Sequence, residues 1–345
     1  MNVPQVAALG CLLLAMQSCS AEDVGYVVRA AYEEARILAR RQSIDAVLAD
    51  ADTDAETRAK LELTTQSRAF AESRLGLDVG GSYRSLAAVD QDQVVHVVSA
   101  AHRNRLEAVT WWFPIAGSVP YRGYFQRDAA VAFAESLEDE GYDTYVRRAV
   151  AFSTLGYFDD PLLSHLLRHR DEVLAETIIH ELLHSTIYLP GHTAFNESFA
   201  NFVGHRGAIA FFEERGAHDE AARARDRWAD TLQFGEFLAG VLADLRSAYA
   251  REVTEDERAG LFDAARAGFH ARTWRTTEYD RFASEPLNNA VLLARHVYFD
   301  RLELFEEVYQ RFAGDLPATI AWIAQAARAG DEPFDGVQSA LAAAH

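Results

Sequence analysis

The chain has 345 residues and a net charge of −19, with 49 % apolar and 11 % aromatic residues. That length allows one large domain or two, and that composition supplies a substantial core, so general disorder is excluded. The acidic balance argues against nucleic acid as a partner, since that needs basic surface, and the only cysteines, Cys11 and Cys19, exclude a disulfide framework beyond the first twenty residues.

Residues 1–18 carry no charged side chain, and Val6 to Met16 form an apolar run too short to span a bilayer. Ser18-Cys19-Ser20 follows. The segment resembles a bacterial lipoprotein signal in which Cys19 becomes the lipidated first residue; an ordinary secretory signal cut near Ser18 to Ala21 is the alternative. Several acyl chains on Cys19 would give stable membrane attachment. Ser20 resembles a signal for outer-membrane sorting. The expected location is therefore the cell envelope, at the periplasmic face of the outer membrane, with a soluble periplasmic or secreted protein as second choice. Residues 19–345 are expected to form a single domain.

Residues 22–77 read as helical. Val27, Ala30, Ala31, Ala35 and Leu38 recur at helical spacing, and Asp52-Thr53 is positioned to cap a second helix through Ala71 and Leu75. Gly80-Gly81 breaks the pattern. Over residues 82–158 the period changes. Gln93 to Val98, Ala108 to Phe113 and Tyr145 to Thr154 are strand-like, and Arg127 to Glu138 is a helix stopped at Gly141. Asp160-Pro161 is an N-cap and first-turn pair, which predicts a short helix over Leu162 to His169.

The chemistry lies in residues 160–345. His180-Glu181-Leu182-Leu183-His184 is an H-E-x-x-H motif, with Asn196-Glu197 downstream. Leu174, Ile178, Leu182 and Ile187 give an apolar side at helical spacing, Asp171 is positioned to cap the helix, and Pro190-Gly191 to end it. On a helix, residues four apart stand roughly 6 Å apart along the axis and point the same way, so His180 and His184 can share one metal ion. Glu181 lies about 100° around the helix, within reach of a water on that ion. A second helix starting between Thr193 and Asn196 would return Glu197 as an oxygen ligand, with Asn201 one turn on to orient a ligand. Two imidazoles and a carboxylate suit zinc and leave its fourth position for water, whose pKa falls toward about 7. Glu181 is then the general base. His165 and His169 repeat the i, i+4 spacing without the glutamate or a third ligand and read as surface histidines, while His192 and His205 read as polar loop or supporting groups.

Phe195-Asn196-Glu197-Ser198-Phe199-Ala200 after the H-E-L-L-H segment resembles the gluzincin metallopeptidases, in which an N-E-x-x-A helix supplies the third ligand. Gly81-Ser82-Tyr83-Arg84-Ser85, Phe113-Pro114-Ile115-Ala116-Gly117, Pro120-Tyr121-Arg122-Gly123-Tyr124-Phe125, Ser153-Thr154-Leu155-Gly156-Tyr157-Phe158-Asp159-Asp160-Pro161 and Asn288-Asn289-Ala290 are similar to a family of bacterial lipoproteins described as "putative aminopeptidases". The similarity runs over nearly the whole chain after the signal. It implies zinc-dependent hydrolysis of peptides. The G-x-M-E-N segment with which the large gluzincin aminopeptidases hold a free amine is absent from this sequence. The resemblance further implies an edge strand that pairs with extended substrate, assigned to Val150 to Leu155.

After Gly216 the chain reads as helices over His218 to Tyr249, Glu255 to Ala271, Leu287 to Phe312 and Ala318 to Ala327. Tyr298 is the first candidate for steadying an oxyanion, followed by Tyr121 and Tyr157. Arg122 and the aromatics around Trp111-Trp112 read as structural. The expectation is a helix-rich α+β zinc metallopeptidase with one zinc held by His180, His184 and Glu197. The alternatives are an envelope binding or assembly lipoprotein with a non-catalytic zinc site and a zinc hydrolase acting on another amide.

Overall fold

The computed structural model describes residues 36, 38–89, 95–113, 116–148 and 159–343. The signal segment with Cys19, most of the first expected helix, the strand assigned to Val150–Leu155, and Tyr157 lie outside these residues. Among the described residues the chain is a helix-rich α+β protein with three small sheets. None of the helices among the described residues is long and apolar enough to cross a membrane.

Strand β1 (Arg41–Ser43) leads into helices α1 (Ile44–Ala49) and α2 (Ala55–Ser73). Asp54, not Asp52-Thr53, caps α2, accepting the Thr57 backbone N–H at 2.9 Å. β1 pairs antiparallel with β2 (Ser85–Ala87), which pairs parallel with β8 (Leu162–Leu163). This last pairing overturns the helix expected over Leu162 to His169: two residues join the sheet and only Ser164–Arg168 form a 3₁₀ turn. Asp160 is no cap. It is buried, and its carbonyl accepts the Tyr83 N–H at 2.7 Å while its own N–H donates to Ser82 Oγ at 3.1 Å. Partners distant in sequence override the local Asp-Pro signal.

The second sheet has the order β6-β3-β7, all antiparallel, from β6 (Arg122–Tyr124), β3 (His96–His102) and β7 (Tyr142–Arg148). Helix α3 (Arg127–Asp139) packs Ala130, Ala134 and Leu137 against Val98 and Ala100. Strand β4 (Trp111–Phe113) pairs antiparallel with β5 (Gly117–Val119). β3 and β7 both begin at other residues than the side-chain alternation placed them, and the short β1, β2, β5, β6 and β8 escape it, because strands of two or three residues are decided by their partners.

The remaining helices are α4 (Asp171–Thr186), α5 (Thr193–Glu214), α6 (His218–Ala248), α7 (Glu255–His270), α8 (Asp280–Ser284), α9 (Asn289–His296), α10 (Leu302–Arg311), α11 (Leu316–Ala329) and α12 (Pro333–Ala343). Phe195, Phe199 and Phe202 along α5 pack with Phe305 of α10 in the largest core cluster. The helix expected from Leu287 to Phe312 is broken after His296. Three α5-derived bonds hold the break: Ser198 Oγ donates to Val297 O at 3.0 Å and accepts the Asp300 N–H at 2.9 Å, and Asn201 Nδ2 donates to Tyr298 O at 2.7 Å. Backbone groups that would continue a helix are satisfied across the interface instead. Asn201 thus fixes the Tyr298 backbone rather than orienting a metal ligand. Asn288 caps α9 through the Val291 N–H and also donates to Thr144 O at 2.9 Å, tying α9 to the outer edge of β7.

Candidate metal centre

Helix α4 is apolar on most of its circumference: Leu174, Ala175, Ile178, Ile179, Leu182 and Leu183 are all buried. Its N-cap is Arg170, and Asp171 is the first helical residue, its carboxylate paired with Lys60 instead of capping. The helix ends at Thr186, short of Pro190-Gly191, and Ile187 is extended. The turn to α5 is clamped by Asn196, whose Oδ1 accepts the Leu189 N–H at 3.0 Å and whose Nδ2 donates to Leu189 O at 2.8 Å. Gly191 adopts φ +84° there, a left-handed conformation that favours glycine. α5 begins at Thr193, inside the expected window.

Close approach of the two helices depends on Gly204. A methyl at that position would meet Glu176 O at 3.0 Å and His180 Cβ at 3.1 Å. Glycine therefore lets α5 run against the very turn of α4 that carries His180, and Glu197 can reach across.

The structure brings His180, His184 and Glu197 together. Their ligand atoms all lie within 4.8 Å of one another. Glu197 Oε2 is 3.4 Å from His180 Nε2 and 3.8 Å from His184 Nε2. Zinc–nitrogen and zinc–oxygen bonds of about 2.0–2.1 Å in a tetrahedron separate neighbouring ligand atoms by roughly 3.3 Å. The donor set and its spacing therefore fit such an ion with little movement. The His184 side chain is 4 % exposed and sealed in, whereas His180 at 15 % and Glu197 at 14 % keep the cluster open on one side.

The charges follow from burial and from one another. Burial pushes His184 down to about 4, with repulsion from His180 adding and Glu197 opposing, so its imidazole is neutral at neutral pH, the ligating form. Burial also disfavours charge on His180, but the hydrogen bond with Glu197 and the carboxylates of Glu181, Glu197 and Glu176 outweigh it and raise its pKa. Glu197 is the reciprocal case. Burial pushes its carboxyl up, and His180, His184 and Arg147 more than reverse this. Glu181 stays high: burial raises it to about 7, the charges of Glu197 and Asp160 add, and His180 opposes.

Tyrosines surround the cluster. The Tyr298 ring stacks on His180 at 6.5 Å between centroids and 29° between planes. Burial, with Glu197 adding and Arg147 opposing, pushes its phenol up to about 12, so it keeps its proton. Arg147 Nη2 donates to the Tyr298 hydroxyl at 3.3 Å. Tyr121 lies within electrostatic reach of Glu197, Tyr298, Tyr188 and Arg147. Tyr188 meets His184 edge-on at 6.4 Å and donates its hydroxyl to Ala116 O at 3.2 Å. Tyr83, buried and at φ +60°, sits near Glu181 and Asp160. A tyrosine at positive φ is strained, and its N–H bond to Asp160 O helps hold it there.

Other singled-out residues go elsewhere. His165 and His169 join no three-residue ligand group among the described residues. His205 is buried with Nδ1 3.2 Å from Glu176 and Nε2 3.2 Å from Thr231 Oγ1. His192 precedes α5 and has Nδ1 3.7 Å from Glu332. Arg122 lies over the Phe133 ring, against which Trp111 also packs, while Trp112 is exposed. Arg147, Tyr188 and the approach of Asp160 to Glu181 went unanticipated. A lone arginine in a strand and an aspartate before proline carry no local signal for this placement. Tyr188, four residues beyond His184, lies past the end of the helix, so the i, i+4 spacing carries no signal for it.

No curated protein and no solved structure matches the chain. A family model with the description "Putative aminopeptidase" matches residues 25–333. Covering most of the chain, this match places the protein in that family, whose description names the hydrolysis of peptides.

Proposed function

We propose that the chain is a zinc-dependent peptidase, with His180, His184 and Glu197 as the metal's ligands and Glu181 as the general base. The observation that carries this reading is the meeting of the three ligand atoms within 4.8 Å, with Glu181 adjacent on the same helix. Zinc, when bound there, supplies a Lewis acid that acidifies water and polarises a carbonyl. Glu181 accepts the attacking water's proton as the water oxygen bonds to the carbonyl carbon. It then delivers that proton to the departing nitrogen as the C–N bond breaks. Its raised pKa suits both halves of this transfer at neutral pH. The Tyr298 hydroxyl accepts from Arg147 and so retains its own proton for the carbonyl oxygen as negative charge develops.

The test is zinc content and hydrolysis of a mixed peptide library by the purified full chain and by Glu181→Gln. One zinc in each and turnover only in the parent are expected. Equal cleavage by both removes Glu181 as base, and zinc without any cleavage moves the protein to the binding-lipoprotein alternative. N-blocked against free peptides separates endo- from exopeptidase action. We further propose an envelope location through lipidation of Cys19, on the strength of the apolar run and the Ser18-Cys19-Ser20 sequence. Continued membrane association of Cys19→Ser would reject it.

A further inference from the structure

Arg147 is the arginine of this site, and its pairing differs from that of four other partly or fully buried arginines. Arg206 answers Glu306, Arg227 answers Glu176 and Glu278, Arg258 answers Asp143, and Arg295 answers Glu285. Arg147 has no carboxylate at ion-pair distance among the described residues. Its one hydrogen-bond partner there is the neutral Tyr298 hydroxyl, and its guanidinium carbon lies 5.7 Å from that ring's centroid. A desolvated guanidinium without a counter-ion is costly, and five donors are poorly served by one phenol. Arg147 helps keep Glu197 ionised from a distance, but a cation on Glu197 would take over that role. Arg147 as a whole residue is only partly buried.

We propose that Arg147 receives the free C-terminal carboxylate of the substrate, so that the bond cleaved lies within a few residues of that end. The proposal rests on the peptidase reading above. Its geometry limits how many residues can follow the scissile bond. The His180 ring lies 6.5 Å from the Tyr298 ring, which lies 5.7 Å from the Arg147 guanidinium, so the guanidinium is no more than about 12 Å from His180. Each extended residue spans roughly 3.3–3.6 Å. A span of about 12 Å admits at most about three extended residues, so a carboxylate held by Arg147 belongs to one of the first three residues after the scissile bond. Arginine binds carboxylate through two parallel N–H donors, which sets the peptide's register as well as its affinity. Peptides with a free C-terminal carboxylate, cut within three residues of it, are the substrate class that follows. For a peptide of two to four residues such a cut can remove the first residue, an aminopeptidase reaction reached by recognising the opposite end of the substrate.

The test compares trialanine as free acid and as C-terminal amide, using the zinc-loaded full chain. The acid should show a KM lower by on the order of 30-fold, the scale for one desolvated charge pair. Arg147→Met should raise the KM of the acid until the ratio approaches one, and Arg147→Lys should recover part of it. A purely structural Arg147 would depress both substrates alike and leave the ratio intact. Equal handling of acid and amide by the parent overturns the proposal, as does a ratio that survives Arg147→Met. Should Arg147→Met not fold, the parent ratio and Arg147→Lys still decide. If the parent cleaves no peptide, the peptidase reading fails on its own. Calorimetry of trialanine acid against amide on zinc-loaded Glu181→Gln then judges Arg147 separately: preference for the acid supports it, and equal or absent binding of both overturns it.

Discussion

Glu181→Gln in chelator-treated protein tests the environment of the base apart from catalysis. Burial raises the Glu181 pKa from an ordinary 4.5 to about 7. A group whose folded pKa lies above its unfolded one leaves stability untouched below the unfolded value, and costs stability as pH rises through the folded value. At about 1.4 kcal/mol per tenfold change, the ionised carboxylate costs the fold at most about 3 kcal/mol above pH 7. Glu181 is half-buried, so solvent screening brings the expectation nearer 2 kcal/mol. Glutamine has the same shape and no charge. The stability advantage of Glu181→Gln should therefore grow from nearly nothing at about pH 4.5 to about 2 kcal/mol at pH 8. Urea unfolding of both proteins at several pH values, with chelator throughout, measures it. A difference independent of pH, or a parent more stable than the variant at pH 8, would refute the reasoning that burial and neighbouring carboxylates set this group.

Three further outcomes follow from the same site. Gly204→Ala places a methyl 3.0 Å from Glu176 O and 3.1 Å from His180 Cβ; overpacking of about 1–3 kcal/mol should outweigh the gain of about 1 kcal/mol from alanine in a helix. Unfolding and zinc retention should both weaken, and a more stable protein with unchanged zinc would contradict the tight crossing. Tyr298→Phe should lower kcat by about 10²–10³ with little change in KM, whereas an equal loss in peptide binding would assign the hydroxyl to the ground state. Zinc affinity should fall by about tenfold per pH unit once His180, raised by Glu197 and its neighbours, takes up a proton that the metal must displace. Competition with a metallochromic dye from about pH 8 to 5 reads this directly, and a flat profile would dismiss protonated His180 as the competitor.

The sequence by itself determined the parts of the site that are local. His180, Glu181 and His184 share one helical turn, so their relative directions follow from 3.6 residues per turn wherever the helix sits. The apolar periodicity of α4 was legible for the same reason, and so was the helix-rich α+β class. Glu197 was reachable by counting, because a short turn and a new helix leave few places for it. Tertiary structure decided what depends on a distant partner. β2 captured Leu162 and Leu163 from an expected helix, and Ser198 and Asn201 broke the helix that was to carry Tyr298. That break set the Tyr298 ring on His180 and its hydroxyl on Arg147, a residue 151 positions away. Helical geometry propagates from each residue to the next, whereas a cross-chain hydrogen bond exists only once packing has brought its two ends together.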